Sequence, residues 1–308
     1  MNKIADYDTY DYDYSTYWNK REYEHKAELL VLNRLLSKSK GKWFLDIGGS
    51  FGRVSPVYSS KYSNPVIVDY SLKTLQKNYS TLKKKYPNIE LIAANAYYLP
   101  FKGYSFDAAM MIRVLHHIEE PKQCIKEIYR VLNSEGIYIQ EFANKLHIKA
   151  VIRAILTLNF SVFSKEPYQQ PNKQNYEGAK KGSNVLFLNY QLAYIKGIFK
   201  SIGFKVSSVH GCSFLRLNIF KKMFKINFLI LLENIFQRTL SWANISPSIF
   251  VKAIKSEKNK SKGENNNLED ILVCPKCKDP LAFKDNTASC SKCKNRYKKK
   301  ENIWDFRI

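Results

Sequence analysis

The chain has 308 residues, a formal net charge of +23 and six cysteines. This length can bury a sizeable core, and we expect one large domain accompanied by a smaller one. The chain opens without an apolar signal segment and its apolar runs are too short to cross a bilayer, so we expect a cytoplasmic protein without a transmembrane segment. The positive excess favours polyanionic partners, among them RNA and anionic membrane surfaces.

Residues 1–40 are predicted to form a flap followed by a helix. The first 18 residues combine aspartates with tyrosines, which is typical of a solvated segment. Residues 19–36 have the apolar spacing of an amphipathic helix.

Residues 43–53 predict a buried strand, a tight turn and the start of a helix. The turn carries three glycines, which are Gly48, Gly49 and Gly52. Glycines let the backbone turn sharply and approach a ligand closely, as a nucleotide-binding turn must. A dinucleotide fingerprint needs glycines at its first, third and sixth positions, but Ser50 and Arg53 occupy the last two, which argues against NAD.

Three more predicted strands lead to candidate site residues. The strand over residues 65–68 leads to Asp69 and Tyr70, and a carboxylate about twenty residues after the turn can accept hydrogen bonds from two ribose hydroxyls. The strand over residues 89–93 leads to Asn95 and Ala96. The strand over residues 106–112 leads to Arg113, His116 and His117.

These motifs together resemble class I S-adenosylmethionine-dependent methyltransferases of the type 11 family, over residues 17–142. Asp46-x-Gly48-x-Ser50-x-Gly52 is similar to the family's acidic-x-Gly-x-Gly-x-Gly motif, with Ser50 replacing the middle glycine. Asn95-Ala96 is similar to the Asp-Ala motif that holds adenine, with Asn95 replacing the aspartate. Leu115-His116-His117-Ile118 follows at the family's spacing.

The resemblance implies an α/β, Rossmann-like fold over residues 41–255: a seven-stranded, mostly parallel sheet with helices on both faces and an antiparallel last strand. It implies S-adenosylmethionine as cofactor and a lid in which Tyr17 and Arg21 close over it. The expected cofactor-binding residues are Asp46, Gly48, Gly49, Ser50, Gly52, Asp69, Tyr70, Asn95, Ala96 and Arg113.

Methyl transfer from a sulfonium is an in-line displacement that chiefly requires alignment, so a catalytic base is not essential. The candidates for a base are His116, His117 and Glu141, which follow or end strands at the expected ligand crevice. The alternative is that the histidines only cap a helix or pack beneath the cofactor. No Asn-Pro-Pro-Tyr, Asp-Pro-Pro-Tyr or Pro-Cys motif follows the fourth strand, which disfavours two kinds of nucleic-acid base methylation.

Residues 145–245 are expected to be a basic insertion on the substrate side of the domain. From Lys145 to Lys225 there are 14 Lys or Arg residues and two acidic ones. The sequence leaves open whether this charge meets RNA, lipid or only solvent.

Residues 256–267 are predicted to be a linker and residues 268–308 a small zinc-ribbon domain. The four cysteines of this domain form two Cys-x-x-Cys pairs, which are Cys274 with Cys277 and Cys290 with Cys293. Four thiolates in this spacing suit a structural Zn²⁺. The module resembles the small zinc-ribbon proteins that activate tRNA, rRNA and release-factor methyltransferases.

Three functions follow from these observations. The first is methylation of RNA or a translation factor, and the second is methylation of a small molecule, lipid or glycan. The third is a non-catalytic binding scaffold, because Ser50 and Asn95 depart from the family pattern.

Overall fold

The computed structural model of the protein describes residues 16–18, 20–170, 186–257 and 266–308. Its helices are α1 (Glu22–Leu35), α2 (Leu72–Lys85), α3 (Pro121–Val131), α4 (Ile148–Leu156), α5 (Leu192–Ile202), α6 (Asn218–Met223), α7 (Ile226–Thr239) and α8 (Leu268–Ile271). Its strands are β1 (Gly41–Ile47), β2 (Tyr62–Asp69), β3 (Glu90–Ala93), β4 (Phe106–Met111), β5 (Leu132–Ala143), β6 (Tyr168–Gln169), β7 (Leu188–Asn189), β8 (Phe204–Cys212), β9 (Ser248–Lys255), β10 (Leu281–Lys284), β11 (Thr287–Cys290), β12 (Arg296–Lys300) and β13 (Ile303–Asp305).

Seven of these strands form the predicted methyltransferase-type sheet, in the order β3-β2-β1-β4-β5-β9-β8. Strands β1 to β5 are parallel to one another, whereas β9 is antiparallel to both β5 and β8. The α/β, Rossmann-like fold class and the antiparallel last strand are therefore confirmed.

The sheet is apolar on both faces, as a parallel sheet covered by helices requires. Its central strands are almost continuously buried. One hydrophobic cluster includes side chains of α3 and α5, and the other includes side chains of α1 and α7. The carboxyl ends of β1 to β5 meet at one edge of this sheet, which we call the carboxyl edge.

The small C-terminal module is not a separate layer, because its four strands continue the same sheet to eleven strands. Strand β13 pairs in parallel with β3, with Trp304 opposite Ile92 and Asp305 opposite Ala93. Strand β3 would otherwise present unpaired backbone groups at an edge, and β13 covers them. The predicted boundaries at 256 and 268 stay predictions, and most of that linker lies outside the described residues.

The segment after the glycine turn differs from its prediction. The sequence predicts the start of a helix there, but the segment forms turns and a 3-10 turn at Ser55–Val57. Pro56 lies in this turn and has no N–H to donate. Further along the chain, α6 and α7 are separate helices, because Phe224 and Lys225 between them have extended backbones.

No helix in the described parts of the chain is long and apolar enough to span a membrane. Most of the predicted flap lies outside the described residues, which begin at Thr16.

Candidate active site at the carboxyl edge

The glycine turn after β1 adopts backbone angles that favour glycine. Gly48 and Gly52 both have φ of +71°, and an added Cβ at Gly48 would overlap the Val114 side chain. Ser50 lies between them with φ of +49°, in the left-handed region that costs a non-glycine residue about 1–2 kcal/mol. The turn therefore leaves a close, side-chain-free approach to its backbone.

Asp69 at the end of β2 ties this turn to the next loop. One carboxylate oxygen accepts a hydrogen bond from the Ser50 N–H at 2.9 Å, and the other accepts one from the Ser71 N–H at 2.9 Å. Each carboxylate oxygen can accept a second hydrogen bond. Asp69 is thus held in place between the two loops.

Asp46 lies beneath the turn, buried at 1% exposure. Burial raises the pKa of its carboxyl to about 7, although the Tyr58 hydroxyl donates a hydrogen bond to it at 2.9 Å. A Cβ on Gly49 would approach the Asp46 carboxylate to 2.8 Å. The acidic position of the motif therefore supports the turn from below.

Two arginines converge on one buried carboxylate at the mouth of the turn. Glu28 of α1 is fully buried and forms ion pairs with Arg113 and, at 2.5 Å, with Arg53. Burial alone would raise the pKa of Glu28, but the two guanidinium groups hold it below its usual value. This cluster joins α1, the glycine turn and the loop after β4.

Trp18 covers this cluster from the N-terminal segment. Its ring lies 3.7 Å from the Arg53 guanidinium carbon and 5.7 Å from that of Arg113, which are cation–π distances. The predicted lid residues lie beside it: Arg21 stacks on the Tyr17 ring at 4.1 Å, and the Tyr17 and Trp18 rings are 5.5 Å apart. The structure therefore places Tyr17 and Arg21 next to the carboxyl edge.

His116 and His117 are buried in a 3-10 turn after β4. Burial lowers the pKa of His117 to about 4 and lowers that of His116 well below its usual value. The His117 ring contacts the Leu186 carbonyl at 2.9 Å, and the His116 ring stacks on Phe187 at 4.3 Å. Both rings are neutral near pH 7 and weakly basic, which favours packing over proton abstraction.

Glu141 in β5 accepts hydrogen bonds from the Arg113 N–H at 2.8 Å and from the Ser248 hydroxyl. Burial raises the pKa of this carboxyl. Because Arg113 has φ of +64°, this hydrogen bond secures a strained residue. Glu141 therefore positions Arg113, in addition to its predicted candidacy as a base.

The loops after β2 and β3, which carry several of the predicted cofactor-binding residues, contact the C-terminal module. Asn95 is buried and accepts a hydrogen bond from the Tyr97 N–H at 2.8 Å, next to partly buried Ala96. The Tyr70 carbonyl accepts a hydrogen bond from Arg307 at 3.3 Å, and the Phe306 N–H donates to the Ala93 carbonyl at 2.7 Å. The module thus packs on the loops that follow β2 and β3.

The four cysteines of the module converge as predicted. The sulfurs of Cys274, Cys277, Cys290 and Cys293 all lie within 4.8 Å of one another. Zinc–sulfur bonds of about 2.3 Å in a tetrahedron place sulfurs roughly 3.8 Å apart, so the cluster fits such an ion. The Tyr297 hydroxyl, 3.2 Å from the Cys274 sulfur, offers an outer hydrogen bond.

The sequence motifs did not identify four residues of the site. Three of them, Glu28, Arg53 and Trp18, lie together at its mouth, and the fourth is Phe187. Glu28 lies on the buried face of a helix, and an acid in that position signals a paired charge. Arg53 directly follows the motif, and Trp18 directly follows Tyr17. Phe187 carries no sequence signal of its role.

The fold and these motifs define an S-adenosylmethionine-dependent methyltransferase domain. Residues 45–140 match the family model described as a methyltransferase domain, so this part of the chain is similar to that family. The expected class of enzyme is confirmed for the domain.

Two of the chain's relatives show the extent of the similarity. An uncharacterised protein of Methanocaldococcus jannaschii is 33% identical over 141 residues, which are 45% of this chain and 52% of that protein. A demethylmenaquinone methyltransferase of Renibacterium salmoninarum is 32% identical over 105 residues, which are 34% of this chain and 43% of that protein. The chain thus spans about half the length of the curated relatives it matches.

Solved structures share the fold at low identity. A chain from the complex of the Haloferax volcanii Trm112 methyltransferase activator with a methyltransferase has a TM-score of 0.52 and 12% identity, covering 80% of this chain and 98% of that chain. Magnesium protoporphyrin IX methyltransferase of Synechocystis has a TM-score of 0.51 and 16% identity, covering 80% of this chain and 90% of that chain.

Proposed function

We propose that the chain transfers a methyl group from S-adenosylmethionine to an amphipathic small molecule or lipid. The observation that best supports transfer activity is the hydrogen bond that joins the strained glycine turn to the Asp69 carboxylate. Bound S-adenosylmethionine would supply a methyl group on a sulfonium, which is already activated for displacement. The chain then has to hold, orient and shield the reactants.

The described residues have suitable positions for these tasks. Asp69 would accept from the ribose hydroxyls, and the Gly48–Gly52 backbone would lie against the cofactor. Asn95 and Ala96 would flank the adenine, and Trp18 with the two arginines would exclude water at the mouth. His116 and Phe187 present stacked rings beyond the end of β4, where an acceptor would enter.

Calorimetry with S-adenosylmethionine tests the cofactor role. We expect Asp69→Ala to weaken binding by roughly 10-fold to 100-fold, since a hydrogen bond to a charged group contributes about 1.5–3 kcal/mol. Asp69→Asn should lose less because one oxygen remains. Glu269→Ala removes an exposed acid in the C-terminal module and serves as the charge-matched control. Absence of binding by the unmodified chain would support the scaffold function instead.

The acceptor class rests on two observations. Large hydrophobic side chains are exposed beside the site in the inserted segments, as argued below. One relative is by name a demethylmenaquinone methyltransferase, which acts on a small molecule. Exposed hydrophobic side chains are not required for recognition of a folded RNA, which is read through phosphates, bases and 2′-hydroxyls.

Methylation of RNA or a translation factor is the second candidate, and the C-terminal module favours it. That module resembles the zinc-ribbon activators of such enzymes, and one structural neighbour comes from a complex with a methyltransferase activator. Labelled methyl transfer into fractionated cell extract separates the candidates. We expect label in the solvent-extractable lipid fraction, whereas label in RNA or protein would establish the second candidate.

We also propose that the four cysteines hold a structural Zn²⁺. All four sulfurs face one another, which leaves no open coordination position for a catalytic water. Metal analysis should find about one zinc per chain, lost in Cys290→Ser and retained in Cys124→Ser, whose thiol is buried in the main core. Zinc loss should also loosen β13 from β3.

A further inference from the structure

The exposed large hydrophobic side chains are confined to two inserted segments. All fifteen within the described residues lie in 148–168, after β5, or in 219–242, after β8. Single exposed apolar residues are normal on soluble proteins, but a contiguous group marks an interaction site.

In α7 these side chains form one stripe. Phe228, Leu231 and Ile235 are between 44% and 56% exposed and recur at intervals of three and four residues. The opposite face of the helix packs on α1 through buried residues such as Glu233 and Gln237. The stripe is therefore the side of the helix that the fold turns outward.

Helix α4 has a similar outward face. Ile148, Ile152 and Ile155 are between 48% and 57% exposed, and Leu156 is 78% exposed. Ala154 is the one buried residue of this helix. A helix face that contacts only water does not normally present so many aliphatic side chains.

The two segments come together where α4 begins. The Ile148 N–H at the start of α4 donates to the Ile245 carbonyl at 2.9 Å. That carbonyl belongs to the loop just after Trp242, whose side chain is 80% exposed. We call the exposed apolar side chains of residues 148–168 and 219–242, with the basic residues among them, the apolar face.

The charges on the apolar face are almost all positive. The two segments hold seven Lys or Arg residues, including Lys149, Arg153 and Lys225. Their acidic residues are Glu166 and Glu233, and Glu233 is fully buried. A second copy of the chain would bring like charges together, whereas an anionic surface would complement them.

The apolar face also borders the mouth of the candidate active site. Lys221 of α6 forms an ion pair with Glu24 of α1 at 2.9 Å, one turn before Glu28. Anything bound to this face is therefore close to the lid.

We propose that the apolar face docks the protein on an anionic lipid bilayer. The aliphatic and aromatic side chains enter the interfacial region, and the lysines and arginines contact the headgroups. RNA would use the cations but not the aliphatic side chains, and an apolar protein partner would not need the cations. This proposal deepens the proposed function, because it names the surface on which the acceptor would be presented. Only that role of the surface rests on the proposed function.

Vesicle flotation of the full chain tests the proposal without cofactor or acceptor. The probes are vesicles of phosphatidylcholine alone and vesicles with about one third phosphatidylglycerol. We expect binding to the anionic vesicles that is at least tenfold tighter than to the neutral ones. Leu156→Ser with Trp242→Ser should weaken that binding by on the order of tenfold or more, because two large apolar contacts are lost.

The charge contribution has a matched control. Lys149→Glu with Arg153→Glu should weaken binding to anionic vesicles by at least tenfold. Lys77→Glu with Lys84→Glu makes the same charge change on exposed positions of α2, which packs on β3 and β13, towards the end of the sheet opposite β8 and α7, and should have a much smaller effect.

Three results would overturn docking: no flotation with anionic vesicles, flotation unaffected by the apolar pair of substitutions, or burial of the face in a dimer seen by sedimentation. Tight, salt-sensitive binding of bulk tRNA that competes with vesicles and ignores Leu156→Ser would assign the face to RNA instead. Calorimetry with S-adenosylmethionine on the same variants keeps the two proposals separate. The cofactor should bind the variants as tightly as it binds the unmodified chain. If the cofactor does not bind the unmodified chain either, the proposed methyl transfer is wrong, but the proposed docking on a bilayer is not affected.

Discussion

The cofactor side and the apolar face of this molecule solve opposite problems. At the carboxyl edge, buried Glu28 is paired with two arginines and buried Glu141 accepts two hydrogen bonds. On the apolar face, large side chains such as Leu156 and Trp242 have most of their surface in solvent. The buried charges of the first region are paired within the chain, whereas the apolar side chains of the second can be covered only by something outside it.

This difference follows from what holds each region. Residues of the carboxyl edge follow strands whose positions the sheet fixes, so a cofactor meets a preformed surface. The apolar face is carried by segments whose helices touch the core on one side only. A uniform cofactor suits the first arrangement, and a variable acceptor or surface suits the second.

The largest effect is expected at Glu28. Glu28→Ala leaves two partly buried guanidinium groups without their shared carboxylate, and should lower the free energy of unfolding by about 3–5 kcal/mol. Urea denaturation measures it. Glu22→Ala on the same helix removes an exposed pair with Lys26 and should change stability by less than about 1 kcal/mol. Equal effects of the two substitutions would remove the contrast between a paired interior and an open face.

Glu28 also shows how far the sequence could predict the site. Spacing alone identified Asp69, the glycine turn and the four cysteines, because each belongs to a local pattern at a strand end or knuckle. The pairing of Glu28 with Arg53 and Arg113 joins three distant segments, and no local pattern records it.

The fold divides in the same way. Alternating strands and helices predicted the parallel sheet, and the resemblance to class I methyltransferases implied its antiparallel strand. They did not predict that β13 would extend that sheet, because pairing with the edge of β3 involves only two residue pairs.

The next effect concerns His117 and pH. Its pKa is about 4 in the folded protein and ordinarily 6.5, so the unfolded chain binds the extra proton between these values. Stability from the neutral ring is complete above pH 6.5 and is lost as pH falls towards 4. His117→Gln should reduce that loss by about 3 kcal/mol in urea titrations. A ring signal titrating near pH 6.5 by NMR would contradict this prediction and revive His117 as a base.

Gly48 tests the rigidity of the cofactor side. Gly48→Ala places a Cβ against Val114 at a φ of +71°, and should lower stability by about 2 kcal/mol while weakening cofactor binding. Gly197→Ala is the matched control, because α5 has open space there and alanine should stabilise the helix by roughly 0.5–1 kcal/mol. Thermal unfolding and calorimetry of both variants give the two readouts. Unchanged cofactor affinity in Gly48→Ala would show that the turn does not contact the cofactor.

Ser50 should respond in the opposite direction. Its φ of +49° disfavours a Cβ, and its N–H bond to Asp69 does not need the side chain. Ser50→Gly should therefore stabilise the turn by up to about 1 kcal/mol and tighten cofactor binding a few fold. Ser50→Ala keeps the Cβ and should show neither gain. Weaker binding in both variants would mean that the hydroxyl itself contacts the cofactor.

The smallest effect is expected on the apolar face, and its smallness is informative. Leu156→Ser and Trp242→Ser remove side chains that are 78% and 80% exposed, so each should change the free energy of unfolding by less than about 0.5 kcal/mol. Urea denaturation can resolve this against Leu229→Ser, a buried residue of α7, which should cost several kcal/mol. Residues that contribute nothing to folding, yet expose large apolar surface, have to be explained by what they bind. If Leu156→Ser or Trp242→Ser lowers the free energy of unfolding as much as Leu229→Ser does, these side chains belong to the core. The apolar face would then need no external partner to explain it.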